Sequence, residues 1–443
     1  MPNPYLPLWE YIPDGEPRVF GDRVYIYGSH DQPGADEFCD FKLKVWSASV
    51  DDLNNWQCHG DIFRTKEEGE RPADTDWTHA RCFAPDVVEK DGKYYLYAYI
   101  VGAKGAICVA DKPEGPFKCL GSYIYDEDTE VGDGGIFIDP GVLVDDDGKV
   151  YVYYGYQNSF MNQLEPDMRT VVKGSYMNPV MPYTEDIPQD ERFFEAASPR
   201  KIGDKYYLVY SPRTAPRLAY ATSDSPTGPF TYRGYLIDNS VDYPGGNDHG
   251  SLMCIKGQWY IFYHRMTNNT IMSRRGCVEK VTILPDGTIP PVEMTSLGFE
   301  DSLNPYKPTP ADLACALVGG CFITERDIFS RGVTNIKDGC VVGYKYFDFG
   351  EDFIGDSISV ALKIRGLGTN CRVKITIDGY GEKGTEVGEV RVGVGDGVYK
   401  GKIKNITGRH SVYFTFEHGV TEWTKGYFDE KPLCGLEEFV FMK

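Results

Sequence analysis

The sequence predicts an all-β protein, a five-bladed β-propeller followed by a β-sandwich, and three observations support this prediction. The 443-residue chain contains 32 Tyr, 49 Gly and 28 Pro, and this mixture of strand formers and turn formers is typical of short strands. A turn followed by a Tyr-rich alternating strand recurs five times. Beyond residue 305 the alternating strands continue, but that recurrence stops.

The repeated unit starts with a tight turn, in most copies a Gly or Asp-Gly turn, and continues into an alternating strand rich in tyrosine. A repeat of roughly 55 to 70 residues with several strands per unit is the signature of a β-propeller. Five copies predict five blades over residues 1–304. The copies are GDRVYIYGS from Gly21, DGKYYLYAY from Asp91, DDGKVYVYYG from Asp146, GDKYYLVYS from Gly203 and KGQWYIFYH from Lys256.

A change of pattern marks a second domain. Residues 305–318 carry most of the Pro-rich segment NPYKPTPADLA and are predicted to form a linker. Residues 319–443 contain alternating strands without blade spacing, which indicates a β-sandwich. These strands are CVVGYKYFDFG, SISVALKIRG, CRVKITIDGY, HSVYFTFEHG and LEEFVFMK.

The formal net charge of −20 argues against nucleic acid or an anionic membrane as a partner, because both require a basic surface. The segment MPNPYLPLWEYIPDGEP lacks the basic and apolar regions of a signal peptide, and no stretch approaches the ~20 apolar residues of a membrane span. Twelve cysteines without CxxC pairs, among them Cys108 and Cys254 in apolar runs, predict reduced thiols. We therefore expect a cytoplasmic protein, whose oligomeric state the sequence leaves open.

Three acidic residues stand out because each lies at the start of a predicted blade strand among apolar neighbours. They are Asp14 in PDGEPRVF, Asp139 in IFIDPGVLV and Glu195 in RFFEAASPR. Burial of a carboxylate is costly unless function retains it. One such residue alone is more often a turn or cap, but three in corresponding positions favour a functional site. The acidic residues of hairpin turns, such as 145–147 and Asp204, are instead expected to be solvated.

Glycoside hydrolysis requires a pair of carboxyl groups, one protonated to donate to the leaving oxygen and the other ionised. Glu195 follows Phe193 and Phe194, and an apolar wall raises the pKa of a carboxyl group, which suits the proton donor. A third carboxylate nearby raises that pKa further through repulsion between like charges.

Five segments together make the chain resemble glycoside hydrolase family 43, whose fold is a five-bladed β-propeller. They are PDGEPRVFGDRVYIYGSHD, CFAPDVVEKDGKYYLY, IDPGVLVDDDGKVYVYYG, FFEAASPRKIGDKYYLVYS and GGNDHGSL. The resemblance implies an inverting mechanism in which Asp14 is the general base and Glu195 the general acid. It makes Asp139 the third carboxylate, which orients the acid and keeps its pKa raised. Base and acid are then expected about 6.5–9.5 Å apart, with room for a water molecule.

The base motif departs from the family pattern, which usually has Asp-Pro at this place. Asp14 is followed by Gly15, whereas Glu16 precedes a proline. Counting back from the turn at Gly21 favours Asp14 as the base, and Glu16 is the competing candidate.

The resemblance also implies residues that face the sugar or the central channel. His249 in NDHGSL matches a histidine that faces the channel, sometimes beside a bound calcium ion or water cluster. No cofactor is therefore expected other than a structural Ca²⁺. Arg274 matches an arginine that contacts the sugar next to the cleaved bond, and its neighbour Arg275 is the alternative.

A second motif of the family concerns the wall of the pocket. Phe83 and Asp86 in FAPD match a segment whose aromatic edge and carboxylate line the pocket, with a structural role as the alternative for Asp86. His30 and Asp31 follow the first repeated strand and are either rim residues or ordinary turn residues.

The C-terminal part resembles carbohydrate-binding module family 6, on the segments IKDGCVVGYKYFDFG, HSVYFTFEHG and LEEFVFMK. The family often holds sugar with an asparagine near the final strand, where this chain has Cys434 and no asparagine. Trp423 and Tyr427 are candidates for stacking on a sugar. Docking of this domain on the propeller is the favoured interpretation.

The resulting hypothesis is an inverting, exo-acting glycoside hydrolase. It would release terminal α-L-arabinofuranose or β-D-xylose from plant-type oligosaccharides or polysaccharides. One alternative is action on another furanoside such as galactofuranose. A second is a glycan-binding propeller without turnover, which would have Asp14 pointing away from the channel. A retaining fructosidase is disfavoured, because the chain lacks the Asn-Asp-Pro-Asn-Gly type of motif of that group.

Overall fold

The computed structural model describes residues 1–185, 187–214, 216–327, 330–419 and 430–443. These residues form 29 β-strands and four 3₁₀-helices of three residues each, so the prediction of an all-β fold is confirmed. None of the helices in this described part has the length and apolar character that a membrane crossing needs.

The first three sheets are the first three blades of the propeller, each antiparallel and built in chain order. Blade 1 comprises β1 (Glu16–Phe20), β2 (Arg23–Gly28), β3 (Lys42–Ser49) and β4 (Asp52–Arg64). Blade 2 comprises β5 (Cys82–Lys90), β6 (Lys93–Ile100), β7 (Ala103–Ala110) and β8 (Lys118–Gly121). Blade 3 has three strands, β9 (Gly141–Val144), β10 (Val150–Tyr154) and β11 (Phe160–Leu164).

Two further sheets complete the propeller. Blade 4 comprises β12 (Phe193–Ile202), β13 (Lys205–Pro212), β14 (Arg217–Ser223) and β15 (Thr231–Asp238). Blade 5 has three strands, β16 (Ser251–Ile255), β17 (Gln258–Thr267) and β18 (Thr270–Val281). The first strands of the blades contact one another in the cyclic order β1, β5, β9, β12, β16 and back to β1. The five-bladed ring is therefore closed, and these five strands surround its axis.

The five sequence repeats are the second strands of the blades, β2, β6, β10, β13 and β17, with the turn that precedes each of them. The turn requires a left-handed backbone, as at Gly21 with φ 61° and Gly203 with φ 60°. The tyrosines of these strands are largely buried, and Tyr27, Tyr153 and Tyr210 are fully inaccessible to solvent. They pack between neighbouring blades.

The C-terminal domain is a single sheet of 11 antiparallel strands, consistent with a β-sandwich. Its pairing order is β20, β23, β28, β25, β26, β27, β24, β29, β22 and β21, with β19 paired to β29. The strands are β19 (Thr309–Pro310), β20 (Ala316–Val318), β21 (Phe322–Asp327), β22 (Ser330–Ile336), β23 (Val341–Asp348), β24 (Ser357–Gly366), β25 (Cys371–Ile377), β26 (Thr385–Val392), β27 (Gly397–Lys404), β28 (Arg409–His418) and β29 (Cys434–Met442).

The segment expected to be a linker, residues 305–318, is an ordered part of the second domain. It contains β19, a short 3₁₀-helix at Ala311–Leu313 and β20, which pair with β29 and β23. Ala311 and Ala314 are buried. Proline is tolerated at such a strand edge, so the proline content did not distinguish an edge from a linker.

The two domains share one hydrophobic core. It runs from Tyr220 and Ile261 in the propeller to Val342 and Phe347 in the sandwich. Polar contacts cross the same boundary: Asp312 binds the buried side chain of Arg275 at 3.2 Å, and Tyr380 donates a hydrogen bond to Asp242 at 2.6 Å. The predicted docking of the C-terminal domain is thus present. Trp423 and Tyr427 lie outside the described residues, so sugar binding by this domain stays a prediction.

The ion pair between Arg275 and Asp312 leads to a prediction about stability. Asp312→Ala leaves a buried guanidinium without its carboxylate, which is expected to lower the free energy of unfolding by about 3–5 kcal/mol. Urea unfolding measures this change.

A surface pair provides the matched control. Asp147→Ala removes the exposed partner of Lys149 and is expected to change the free energy of unfolding little. The double variant Arg275→Met/Asp312→Leu should recover most of the loss, because an apolar pair no longer leaves a charge buried alone. A small effect of Asp312→Ala would contradict a structural role for the pair.

Candidate active site

A cavity of about 520 Å³ opens where the innermost strands of the propeller begin. All three predicted carboxylates, Asp14, Asp139 and Glu195, line it. So do three of the four other predicted residues, Phe83, His249 and Arg274. The remaining lining residues are Phe38, Tyr99, Val101, Ile138, Tyr156, Phe194 and Asn247.

The same backbone kink occurs near the start of four innermost strands. Asp14 has φ 54°, Ala84 has φ 36°, Asp139 has φ 48° and Ala196 has φ 66°. Non-glycine residues rarely adopt the left-handed region, although Asp tolerates it better than most. At Glu195 the pairing of β12 with β13 is also shifted on both sides, as in a β-bulge. Kinks and bulges re-aim side chains, and here they turn the carboxylates toward the axis.

Asp14 is held as an ionised carboxylate. Its Oδ1 accepts a hydrogen bond from Arg274 Nη1 at 2.9 Å, and its Oδ2 accepts one from Ser29 Oγ at 2.6 Å. Burial by itself would raise the pKa of Asp14, but the guanidinium of Arg274, the two neighbouring histidines and the hydrogen bond from Ser29 together outweigh burial, and the pKa falls to about 2. This carboxylate can therefore accept a proton at neutral pH.

Two histidines stand beside Asp14, and both are neutral. His264 Nδ1 accepts a hydrogen bond from the backbone N–H of Asp14 at 3.4 Å, and its Nε2 lies 3.1 Å from the carbonyl oxygen of Asn247. The ring proton is therefore on Nε2. Burial, together with the charge of Arg274, lowers the pKa of His264 to about 3. Burial also lowers the pKa of His249, whose Nδ1 lies 3.8 Å from Asp14 Oδ1.

The pKa values of Glu195 and Asp139 are raised, in contrast to that of Asp14. Burial, reinforced by the negative charge of Asp14, raises the pKa of Glu195 to about 7. Burial also raises the pKa of Asp139 well above its ordinary value, and the nearby charges of Glu195 and Asp14 act in the same direction. The pocket thus contains one firmly ionised carboxylate and two carboxyl groups that retain protons more readily.

Arg274 is fixed by a residue outside the pocket. Asp31, which is fully buried, accepts hydrogen bonds from Arg274 Nε at 2.9 Å and Nη2 at 3.0 Å, and from its backbone N–H at 2.9 Å. This bidentate contact leaves Nη1 for Asp14. The neighbouring Arg275 faces the sandwich domain, so the pocket arginine is Arg274.

Several of the sequence candidates lie outside the pocket. Asp86 does not line it, because its two oxygens bind the guanidinium of Arg18 at 3.0 and 2.6 Å deeper along the axis. The assignment of Asp86 to substrate binding is therefore wrong. Glu16, the competing base, is likewise buried against Arg200. His30 contacts Glu10 and Asp40 and is not a lining residue.

Sequence reasoning missed two tyrosines in the wall of the cavity, Tyr99 and Tyr156, each of which pairs with a phenylalanine. Tyr99 lies opposite Phe83 in the β5–β6 pairing, with ring centroids 5.6 Å apart, and Tyr156 lies 4.8 Å from Phe194. Tyr99 is the last residue of the second sequence repeat. Its place at the end of the strand, beyond the buried Tyr97, was the available signal.

A second, shallower cavity of about 490 Å³ adjoins the first. The two share Phe38, Phe83 and Val101, so they form one continuous depression over blades 1 and 2. The remaining residues of this second cavity are Asp36, Glu37, Phe41, Ala80, Arg81 and Met272.

The resemblance allows, but does not require, a calcium ion beside His249. Within the described part of the chain, no group of three or more His, Cys, Asp or Glu is placed to hold a metal ion. The two carboxylates that influence His249 most, Asp14 and Glu16, are each bound to a guanidinium. These residues do not fit a channel calcium ion.

Comparisons with known proteins agree with this site. The sequence model described as Glycosyl hydrolases family 43 matches residues 11–289. A xylosidase/arabinosidase of Thermoclostridium stercorarium is 37% identical over 466 residues, which cover 94% of this chain and 95% of that protein.

Two solved structures are similar in fold and sequence. An arabinoxylan arabinofuranohydrolase from Bacillus subtilis, in complex with cellotetraose, covers 100% of this chain and 97% of its own, with 25% identity and a TM-score of 0.56. A β-xylosidase/α-arabinofuranosidase from a compost microbial metagenome, a calcium-free form with xylotriose, covers 64% of this chain and 95% of its own. It has 29% identity and a TM-score of 0.55.

The charge of Asp14 leads to a prediction about Glu195. Asp14→Asn removes a negative charge that raises the pKa of Glu195, so that pKa is expected to fall below its value of about 7. Carbon-13 NMR of carboxyl-labelled glutamate measures it, with the signal assigned by its loss in Glu195→Gln. The control Asp147→Asn changes an exposed turn residue and should leave the titration unchanged. An unchanged or higher pKa in Asp14→Asn would refute this account of the pocket.

Proposed function

The chain belongs to glycosyl hydrolase family 43 and is a glycosidase, and on this basis we propose its mechanism and its substrate class. We infer an inverting, exo-acting enzyme that releases a terminal pentose, α-L-arabinofuranose or β-D-xylose, from oligosaccharides. One observation carries this inference, namely the opposite protonation of two carboxyl groups in one pocket. The pKa of Asp14 is lowered to about 2, whereas that of Glu195 is raised to about 7.

Each carboxyl group has one role in the proposed reaction. Glu195 donates its proton to the glycosidic oxygen as the bond to the anomeric carbon breaks. Asp14 accepts a proton from the water that attacks that carbon from the opposite face, so the configuration inverts. The charge of Asp14 favours the protonated form of Glu195, and Arg274 helps to keep Asp14 ionised. Asp139, whose own pKa is raised by burial and by the charges of Glu195 and Asp14, positions the acid. After one turnover Glu195 has lost a proton to the leaving oxygen and Asp14 has gained one from water, and proton exchange of both groups with solvent restores the starting state.

The depression has room for a terminal sugar and for the part of the substrate that follows it. The terminal sugar would occupy the cavity between the two aromatic pairs, where it can meet both carboxyl groups. The remainder of the substrate would extend over Phe38 and Phe83 into the second cavity. The names of the similar proteins, xylosidase/arabinosidase and arabinoxylan arabinofuranohydrolase, support a pentose as the released sugar.

A panel of 4-nitrophenyl glycosides tests the substrate class. We expect turnover of the α-L-arabinofuranoside, the β-D-xyloside or both, and slower turnover of the galactofuranoside. Proton NMR of the first-formed sugar should give the inverted anomer. Retention would refute the mechanism, and preference for the galactofuranoside would refute the pentose assignment.

Two substitutions separate the roles of acid and base. Glu195→Gln should lose about 10²–10⁴-fold in kcat on natural oligosaccharides but less on 4-nitrophenyl glycosides, whose leaving group needs little protonation. Asp14→Asn should lose activity on both substrates, because both need an activated water molecule. Asp147→Asn, at an exposed turn, is the control and should retain full activity. Full activity of Glu195→Gln on oligosaccharides would show that another residue is the acid.

A further inference from the structure

Two buried ion pairs lie on the propeller axis beneath the three carboxylates. Glu16 Oε2 accepts a hydrogen bond from Arg200 Nη2 at 2.6 Å, and Arg18 binds both oxygens of Asp86. The side chains of Glu16, Asp86 and Arg200 are almost inaccessible to solvent, and Arg18 is 13% exposed. We call these four residues the channel cluster.

The channel cluster ties all five innermost strands together. Arg18 in β1 donates to the carbonyl oxygen of Val142 in β9 at 3.1 Å, and Val142 N–H donates to Asp86 of β5 at 2.8 Å. Arg200 in β12 donates to the carbonyl oxygen of Leu252 in β16 at 2.8 Å and to Ser251 Oγ. Blades 1, 2 and 4 therefore contain the cluster residues, and blades 3 and 5 supply hydrogen-bond partners for them.

The channel cluster lies close in sequence to the pocket residues. Glu16 follows Asp14 by two residues, and Ser251 follows His249 by two. His249 lies within electrostatic range of the cluster, because the charges of Glu16 and Asp86 both act to raise its pKa. A cation beside His249 would therefore have to share this space with the two guanidinium groups.

Charge balance argues against such a cation. The cluster contains two carboxylates and two guanidinium groups, so its formal charge is zero. A divalent cation would leave two uncompensated positive charges in a buried site, which is strongly unfavourable. Glu16 Oε1 is buried without a hydrogen-bond partner in the described residues, but Ca²⁺ needs six to eight oxygen ligands.

We propose that the channel cluster takes the place of a divalent cation in this protein, and that Arg200 is the side chain that excludes one. Arg200 donates to Glu16, to the carbonyl oxygen of Pro17 and to strand β16, so it fills the position between blades 1, 4 and 5. The folded enzyme accordingly needs no Ca²⁺ in its channel.

The first test uses the full wild-type chain after treatment with EDTA. We expect no loss of glycosidase activity, and added CaCl₂ should shift the Tm of the wild type and of Glu16→Gln equally. Glu16→Gln removes the one channel carboxylate that is nearest to the pocket. A Ca²⁺-dependent rise in the wild-type Tm that Glu16→Gln abolishes would overturn the proposal, as would activity that EDTA removes and Ca²⁺ restores.

The second test removes Arg200, which should create a site for a divalent cation in the channel. Arg200→Met leaves the cluster with a net negative charge, so Ca²⁺ should raise the Tm of this variant more than that of the wild type. Arg275→Met is the matched control, because it also removes a buried guanidinium but lies outside the channel. Equal Ca²⁺-dependent shifts in the Tm of the wild type, Arg200→Met and Arg275→Met would show that Arg200 does not exclude a divalent cation. If Arg200→Met does not fold, the comparison of wild type with Glu16→Gln decides the proposal.

Discussion

Two buried ion pairs, Glu16–Arg200 and Arg18–Asp86, join the five innermost strands of the propeller, and the geometry of the pocket depends on this junction. A propeller packs its apolar side chains between blades, which leaves polar groups facing one another on the axis. Charged groups that are buried there must be paired, because an isolated one costs several kcal/mol. The pairing holds the five strand starts in register, and the three carboxylates project from those starts.

The pocket above this junction depends on an asymmetry of charge. The guanidinium of Arg274 is held by Asp31 and donates a hydrogen bond to Asp14, whereas its charge does not outweigh the burial of Glu195 and Asp139. Burial raises the pKa of all three carboxyl groups in the pocket, and Asp14 is ionised because Arg274, the neighbouring histidines and the hydrogen bond from Ser29 together oppose burial there. The opposite protonation of Asp14 and Glu195, from which we infer base and acid, therefore comes from the surroundings of each group, since all three groups have nearly the same intrinsic chemistry.

Local patterns in the sequence were sufficient to predict the repeated strands and the pocket carboxylates. They were insufficient to predict the buried ion pairs. The Tyr-rich repeats became the second strands of the five blades, and Asp14, Asp139 and Glu195 all reached one cavity. Asp86 has the same signature, a carboxylate among apolar residues at a strand start, yet it binds Arg18, which is 68 residues away in the chain. Asp31 was predicted to be either a rim residue or an ordinary turn residue, because its partner Arg274 is 243 residues away and leaves no local signal.

The sequence by itself determined the all-β class, the number of blades and the acidic residues that could do chemistry. Strand periodicity, turn chemistry and the apolar flanks of a carboxylate are properties of neighbouring residues, and they can be read locally. Only the tertiary structure decided between Asp14 and Glu16 and between Arg274 and Arg275. It also decided which carboxylates face the pocket and which are neutralised on the axis. The physical reason is that a pKa and an ion pair depend on charges a few ångströms away in space, and closing the ring brings those charges from distant parts of the chain.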